Sequence, residues 1–305
     1  MNKAVLVGGL PRSGTNLVRR IVGSHSDIAM PPVEFMFFQK LATGRTVQDI
    51  LSADEFRKRY EVDVSDLYGE TPEAVYRELL TRYARHIGKP VAGEKSPRNE
   101  LNYDRILKSL SGFDTRFIQI VRNPLDVIAS FKYAPFRKNV LPDETEIAAL
   151  VSDWVRSLSV GLARAFTAPA SYRVIKYETL TADPEQETRK LCEFLGVDFQ
   201  GERMLNLADF SEHKDNTSFA GDDSNAQTGD SAGRVRNRQS RKSHLSPAEL
   251  DIVTGLCGEL ALAFGYDDEE FSRPDSPVNL PGPPKKQPGV RRKLKGAVRR
   301  VLGMR

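Results

Sequence analysis

The chain has 305 residues, 39% of them apolar, enough to bury one full α/β core, and its formal charge is +4. That charge is unevenly placed, because residues 285–305 carry nine Lys or Arg and no acid; the body before them is net acidic, which argues against a nucleic-acid-binding domain, whose positive charge sits on the folded body. Cys192 and Cys257 are the only cysteines, each inside an apolar helical pattern and far from the other, so a disulfide framework or a zinc site has nothing to build on and two core thiols are expected.

The first element starts almost at once. MNKAVLVGGL runs into an apolar strand, KAVLVGG at 3–9, without a leader pattern, and no later stretch approaches a membrane-spanning length, so a cytoplasmic protein is expected. SGTNLVRRIVGSH at 13–25 then shows apolar positions at helical spacing, giving strand, loop and helix. The same order returns at PVAG (90–93), at RFIQIV (116–121) followed by Asn123, Pro124 and a helical run, and at YRVIKY (172–177) followed by Asp183, Pro184 and EQETRKLCEFLG. Asn123 and Asp183 suit a cap before proline at the first helical position. Short buried strands alternating with helices predict a parallel sheet covered on both faces, a three-layer α/β fold. Segments 46–87 and 143–168, the second holding Trp154, read as helical or irregular, and 206–245 as a long polar surface segment. A last helix over 246–266 opens with Ser246 and Glu249 in a capping-box pattern. Beyond Phe271 a proline-rich stretch reads as an extended linker.

The loop after the first strand is the first chemical signal. In VLVGGLPRSGTN, Gly9 and Gly14 have the spacing of the phosphate loop G-x-x-x-x-G-K-[ST], yet Thr15 and Asn16 stand where the lysine and the magnesium-binding hydroxyl belong. A glycine-rich turn entering a helix still offers backbone N–H groups and a helix dipole to an anion. Without the lysine, and with RFIQIV ending in Arg122 rather than a magnesium-holding Asp, an ATPase or kinase is disfavoured.

PRSGTN, RFIQIVRNPLDVIASF and VIKYETLTADPEQETRKLCEFLGV, in this order, resemble the sulfotransferases that use 3′-phosphoadenosine 5′-phosphosulfate (PAPS), and the likeness spans residues 3–266. The resemblance implies a P-loop-containing nucleotide-hydrolase-like fold, with a sulfotransferase domain over 1–271, a linker over 272–289 and a basic tail over 290–305. It implies that Arg12, Ser13, Gly14, Thr15 and Asn16 surround the 5′-phosphosulfate, and that Arg122 and Ser130 match the arginine and serine of the family's 3′-phosphate site. PAP would be the product, and no metal would be required. Tyr177, in KYETL, is either an aromatic bordering the adenine or an ordinary strand-end tyrosine.

Sulfuryl transfer to a hydroxyl needs a base for the acceptor proton and cations for charge growing on the leaving phosphate. GEKSPRN (93–99), following the strand PVAG, resembles the E-K-[ST]-P segment of the carbohydrate and protein-tyrosine branches, whose lysine faces the donor; this is Lys95. With Arg12 it would supply positive charge. PPVEFMFF (31–38) resembles the K-E-x-H-F-F segment of heparan-type enzymes, making Glu34 the candidate base, although Val33 and Met36 replace that segment's lysine and histidine. Glu34 could equally be a surface carboxylate. His25 is the rival base, and SHSD resembles a helix-ending H-P-[DE], which reads as structural.

Arg234, Arg236, Arg238, Arg241 and Lys242 form either a lid over the donor or a solvated charge run, since the tryptophan of the family's late G-x-x-x-x-W element is missing. HKDNTSF (213–219) is a candidate contributor to the acceptor side. In the tail, Val290, Leu294, Ala297, Val298, Val301 and Leu302 share a helical face among basic residues, as in a membrane-surface helix, though basic tails also bind acidic partners. The expected acceptor is a saccharide or glycolipid hydroxyl, with peptide tyrosine as the alternative, and the expected location is the cytoplasm or its inner membrane surface, without nucleic acid as a partner. A catalytically degenerate nucleotide-binding scaffold is the competing class.

Overall fold

In a computed structural model of the chain, which describes residues 2–52, 62–134, 137, 140–206, 242–266 and 271, the opening apolar run becomes β1 (Lys3–Gly8). Ala4 and Leu6 pack into one core cluster and Val5 and Val7 into another. All four are fully buried, so this strand has helices over both faces. It lies at the centre of a five-stranded sheet in the order β2 (Ile28–Ala29), β3 (Val91–Lys95), β1, β4 (Asp114–Val121), β5 (Tyr172–Lys176), every pair parallel.

In chain order the helices are α1 (Thr15–Gly23), α2 (Phe37–Ala42), α3 (Val47–Ser52), α4 (Pro72–His86), α5 (Tyr103–Ser109), α6 (Pro124–Lys132), α7 (Glu144–Thr167), α8 (Tyr177–Ala182), α9 (Pro184–Leu195), α10 (Gly201–Leu205) and α11 (Pro247–Ala263). Helices α1 and α9 cover the face of Val5 and Val7, while α4 covers that of Ala4 and Leu6. A third cluster joins α6, α7 and α11 around the buried Trp154. Cys192 and Cys257 are buried, unbridged thiols in α9 and α11, as expected. Burial pushes the Cys192 thiol up to about 11 and that of Cys257 up to about 12.

The caps read from the sequence are present. Asn123 accepts from Leu125 N and Asp183 from Gln186 N, each before a proline, and Ser246 with Glu249 forms a reciprocal capping box. The differences are local. The third strand runs on through Glu94 and Lys95, so Lys95 is a strand-end residue and not part of a following loop. Tyr177 opens α8 rather than closing β5. Helix α1 is shorter than the periodic stretch, because Ser13 and Gly14 belong to the loop. Among the described residues no helix is long and apolar enough to cross a membrane. The linker, the tail, HKDNTSF and Arg234, Arg236, Arg238 and Arg241 lie outside the described residues.

Candidate active site

Parallel strands end on the same edge of a sheet, and here the register fixes which residues meet there. Val7 lies beside Lys95, Gly8 beside Gln119, and Val121 beside Lys176. The residues just past these positions therefore share one rim: the loop 9–14, the segment after Lys95, Arg122 and Tyr177. The chain passes from β3 to β4 across β1, which makes the end of β1 the switch point where open α/β sheets bind ligands.

The loop is held from below. Gly9 N donates to the buried carboxylate of Glu100 at 2.7 Å, and Arg98 N donates to Gly9 O at 2.9 Å. Burial raises the Glu100 pKa above the usual carboxylate range, against hydrogen bonds from Ser157 and the backbone. Gly9, Arg12 and Gly14 have φ of 131°, 75° and 98°, the left-handed turns that let the chain double back into α1. No side chain caps α1 and its first turn carries no acid, so the N–H groups that a helix start cannot pair internally are not satisfied by a capping side chain. Ser13 is 1% exposed and its Oγ has no hydrogen-bond partner among the described residues. An orphaned hydroxyl beside an uncapped helix start fits an anionic phosphate or sulfate group.

Arg12 reaches across to α6, where its Nε donates to Ser130 Oγ at 3.0 Å. Arg122 lies with its guanidinium carbon 4.4 Å from the centroid of Tyr177, and its backbone oxygen accepts the Trp154 indole N–H at 2.9 Å. Its Nε is buried without a partner, and Nη2 is 3.5 Å from Asp126. Gly14 completes this corner: a Cβ there would stand 2.5 Å from Tyr177 Cδ2.

The third group comes from β3. Lys95 is fully buried, 1% exposed at its side chain, whereas the Glu34 side chain is 35% exposed, and the two form an ion pair. Lys95 Nζ also donates to Asn16 Oδ1 at 2.6 Å in the first turn of α1. Burial holds the Lys95 ammonium below the usual lysine range; Glu34 opposes that and Arg19 adds to it. Among the described residues singled out in the sequence for the donor and the base, residues 12–16, Glu34, Lys95, Arg122, Ser130 and Tyr177 gather at this rim, and His25 does not. Its Nδ1 accepts from Asp27 N at 3.1 Å and its Nε2 stands 2.9 Å from Asp198 O, so both ring nitrogens are engaged at the far end of α1.

Sequence reasoning passed over several contributors. Arg19 donates to Pro31 O at 3.3 Å, beneath the segment carrying Glu34. Glu178 accepts from Asn123 N at 2.8 Å and from Tyr266 OH at 3.3 Å, behind Arg122; burial raises its pKa. Glu94 is 1% exposed and receives hydrogen bonds from Tyr76, Ser96 and Asn99. For Glu94 and Glu178 the available signal was a charged residue inside or just beyond an apolar strand run, whereas Arg19 sits within α1.

The model of the Sulfotransferase family matches residues 4–201. Nodulation protein NoeE of Sinorhizobium fredii is 27% identical over 295 residues, 85% of this chain and 65% of that protein. Carbohydrate sulfotransferase 1 of Rattus norvegicus is 30% identical over 111 residues, 32% of this chain and 27% of that protein. The chain therefore spans less than two thirds of the length of these curated relatives. The solved sulfotransferase domain from the curacin biosynthetic pathway superposes with a TM-score of 0.55 at 20% identity, over 88% of this chain and 99% of that one, a likeness of fold.

Proposed function

The chain belongs to the sulfotransferase family, and from that premise we propose that it transfers the sulfuryl group of PAPS to a hydroxyl of a saccharide or glycolipid. The observation that carries this reading is the bridge made by Lys95, which joins Glu34 on one side to Asn16 of the phosphate loop on the other. That arrangement supports a carboxylate acting on an acceptor and a cation acting on a leaving phosphate beside the glycine-rich turn.

In this reading Arg12, Ser13, Gly14, Thr15 and Asn16 hold the 5′-phosphosulfate, Arg122 and Ser130 the 3′-phosphate, and Tyr177 borders the adenine. The orphaned Ser13 Oγ and Arg122 Nε support it, because both are buried polar atoms waiting for an acceptor. The acceptor oxygen bonds to sulfur while the bond from sulfur to the bridging oxygen breaks. The electron pair stays on the departing phosphate, where the Lys95 ammonium offsets the growing charge. The acceptor proton passes to the Glu34 carboxylate, which is reachable from solvent where Lys95 is not. A transferring SO₃ group carries less negative charge than a phosphoryl group, so we assign no metal to the reaction. The name of the rat relative supports a saccharide acceptor. The basic tail, set against a net acidic body, supports association with an anionic membrane surface.

Calorimetry tests the donor. With chelator present, 3′-phosphoadenosine 5′-phosphate is expected to bind at least about tenfold more tightly than AMP, since charge-assisted bonds to the 3′-phosphate contribute about 1.5–3 kcal/mol each. Equal affinity for the two nucleotides removes the assignment. Mass spectrometry with isotopically labelled donor, over saccharide, glycolipid and tyrosine-peptide acceptors, then identifies the acceptor class.

A further inference from the structure

The segment that carries Glu34 crosses the end of β3, and the residues that hold it there belong to β3 and the turn after it. Met36 N donates to Ser96 Oγ at 2.9 Å, Ser96 Oγ in turn donates to Glu94, and the Glu94 carboxylate also accepts the backbone N–H of Phe35. Successive strand residues point to opposite faces, so Lys95 reaches the phosphate loop while its neighbour Glu94 points away from it. The segment straddles this end with Glu34 on the Lys95 side and the backbone of 35–36 on the other. Met36 is not glycine yet has φ of 51°, a strained left-handed turn that brings the chain into α2. Phe35, Phe37 and Phe38 anchor the segment in the core without defining where Glu34 points. Gln39 adds a further tie, donating to Pro97 O at 2.8 Å and to Asn99 Oδ1 at 3.0 Å.

We propose that Ser96 and Glu94 are positioning residues, a hydroxyl and a buried carboxylate that clamp the backbone of 35–36 and so set Glu34 against Lys95. The inference rests on the reading of Glu34 and Lys95 as base and cation, and it is a statement about geometry that can be tested without turnover.

The probe is the titration of Lys95, followed by NMR on selectively labelled lysine in the full chain. Four groups bear on this ammonium: the Glu34 carboxylate and Asn16 amide oxygen in contact with it, Arg19 from α1, and Glu94 beside it on β3. Glu34→Gln removes a contact that favours the charged lysine, so it should move the titration further down. Ser96→Ala, which leaves all four groups in the sequence, is expected to move it in the same direction. It should also lower kcat roughly tenfold or more, with affinity for 3′-phosphoadenosine 5′-phosphate within about twofold. Ser96→Thr retains the hydroxyl and should restore both. If Ser96→Ala fails to fold, the nearly isosteric Ser96→Cys, a weaker acceptor, serves in its place. A parent-like Lys95 titration in the serine variant overturns the clamp. A parent-like kcat in Glu34→Gln, with the titration still shifted by Ser96→Ala, sinks the base assignment and leaves the clamp standing.

Discussion

Lys95 and Glu34 differ in one respect that decides what each does when altered: the lysine is enclosed and the glutamate is open to solvent. Glu34→Gln should leave donor affinity near the parent value and lower turnover roughly 10²–10⁴-fold, the range of a lost general base; single-turnover kinetics with saturating donor would show it. Lys95→Ala should cost at least as much, because it also strands Glu34 without its cation. The lysine has a pH signature. The proposed role requires its ammonium and burial lowers its pKa, so activity should fall on the alkaline side below the ordinary lysine range. Lys95→Arg, slower but permanently charged, should push that limb upward, and an unmoved limb would assign it to another group. Beneath the phosphate loop, Glu100 offers a test of stability. Its two oxygens accept from Gly9 N and Ser157 Oγ, and a glutamine can keep both contacts, because the serine oxygen can also accept. The raised folded-state pKa means that the native protein binds the proton more tightly than the unfolded chain. Parent stability is therefore lost as pH climbs from the ordinary carboxylate range through the raised value. Glu100→Gln lacks this loss, so the melting temperature of the variant relative to the parent should rise from pH 5 to pH 8. A constant or shrinking difference would contradict the assignment.

At the scale of elements, the turn from β1 into α1 works because Gly14 has no side chain. Gly14 takes φ of 98° and lies where a Cβ would meet the ring of Tyr177 at 2.5 Å, and that ring carries the Arg122 guanidinium. Gly14→Ala therefore both strains the backbone and displaces the aromatic floor of the candidate 3′-phosphate site. Calorimetry should show a loss of nucleotide affinity of about tenfold or more, alongside about 1–3 kcal/mol of stability. Because the clash is with Tyr177, the double change with Tyr177→Ala should cost less than the sum of the two; strict additivity would mean that the ring is not what the glycine accommodates. The same contacts show what sequence could reveal. Apolar runs closed by glycine announced β1 and β3, the run before Arg122 and Asn123 announced β4, and proline-led helices announced α6 and α9, since each signal is local. The two-residue β2 has too few positions for a period to register. Tyr177 looked like a strand end because β5 and α8 join without an intervening residue. Arg19, Glu178 and Glu94 were missed because Pro31, Asn123 and Tyr76, which they meet, are brought to them by the fold across many residues, which no spacing rule reports.

Across the whole molecule, the distribution of charge separates what binds the donor from what meets a surface. Every residue assigned to the donor and the base lies between Arg12 and Tyr177, on the rim of a sheet within a body that is net acidic. An anionic bilayer repels such a body. The nine Lys and Arg of residues 285–305, uninterrupted by acid, are the stretch with the opposite tendency, and each basic residue near an anionic surface contributes about 1 kcal/mol. Binding of the chain to vesicles containing phosphatidylglycerol should therefore weaken steeply with salt, as the screening length contracts from about 10 Å at 0.1 M to about 3 Å at 1 M. A chain ending at Pro284 should lose that binding and keep its affinity for 3′-phosphoadenosine 5′-phosphate within about twofold, because it keeps every residue of the rim. Sedimentation with vesicles and calorimetry on the same preparation read both quantities. Undiminished vesicle binding after truncation would place the contact on the body, against its net charge. A matching loss of nucleotide affinity would instead tie the tail to the donor site.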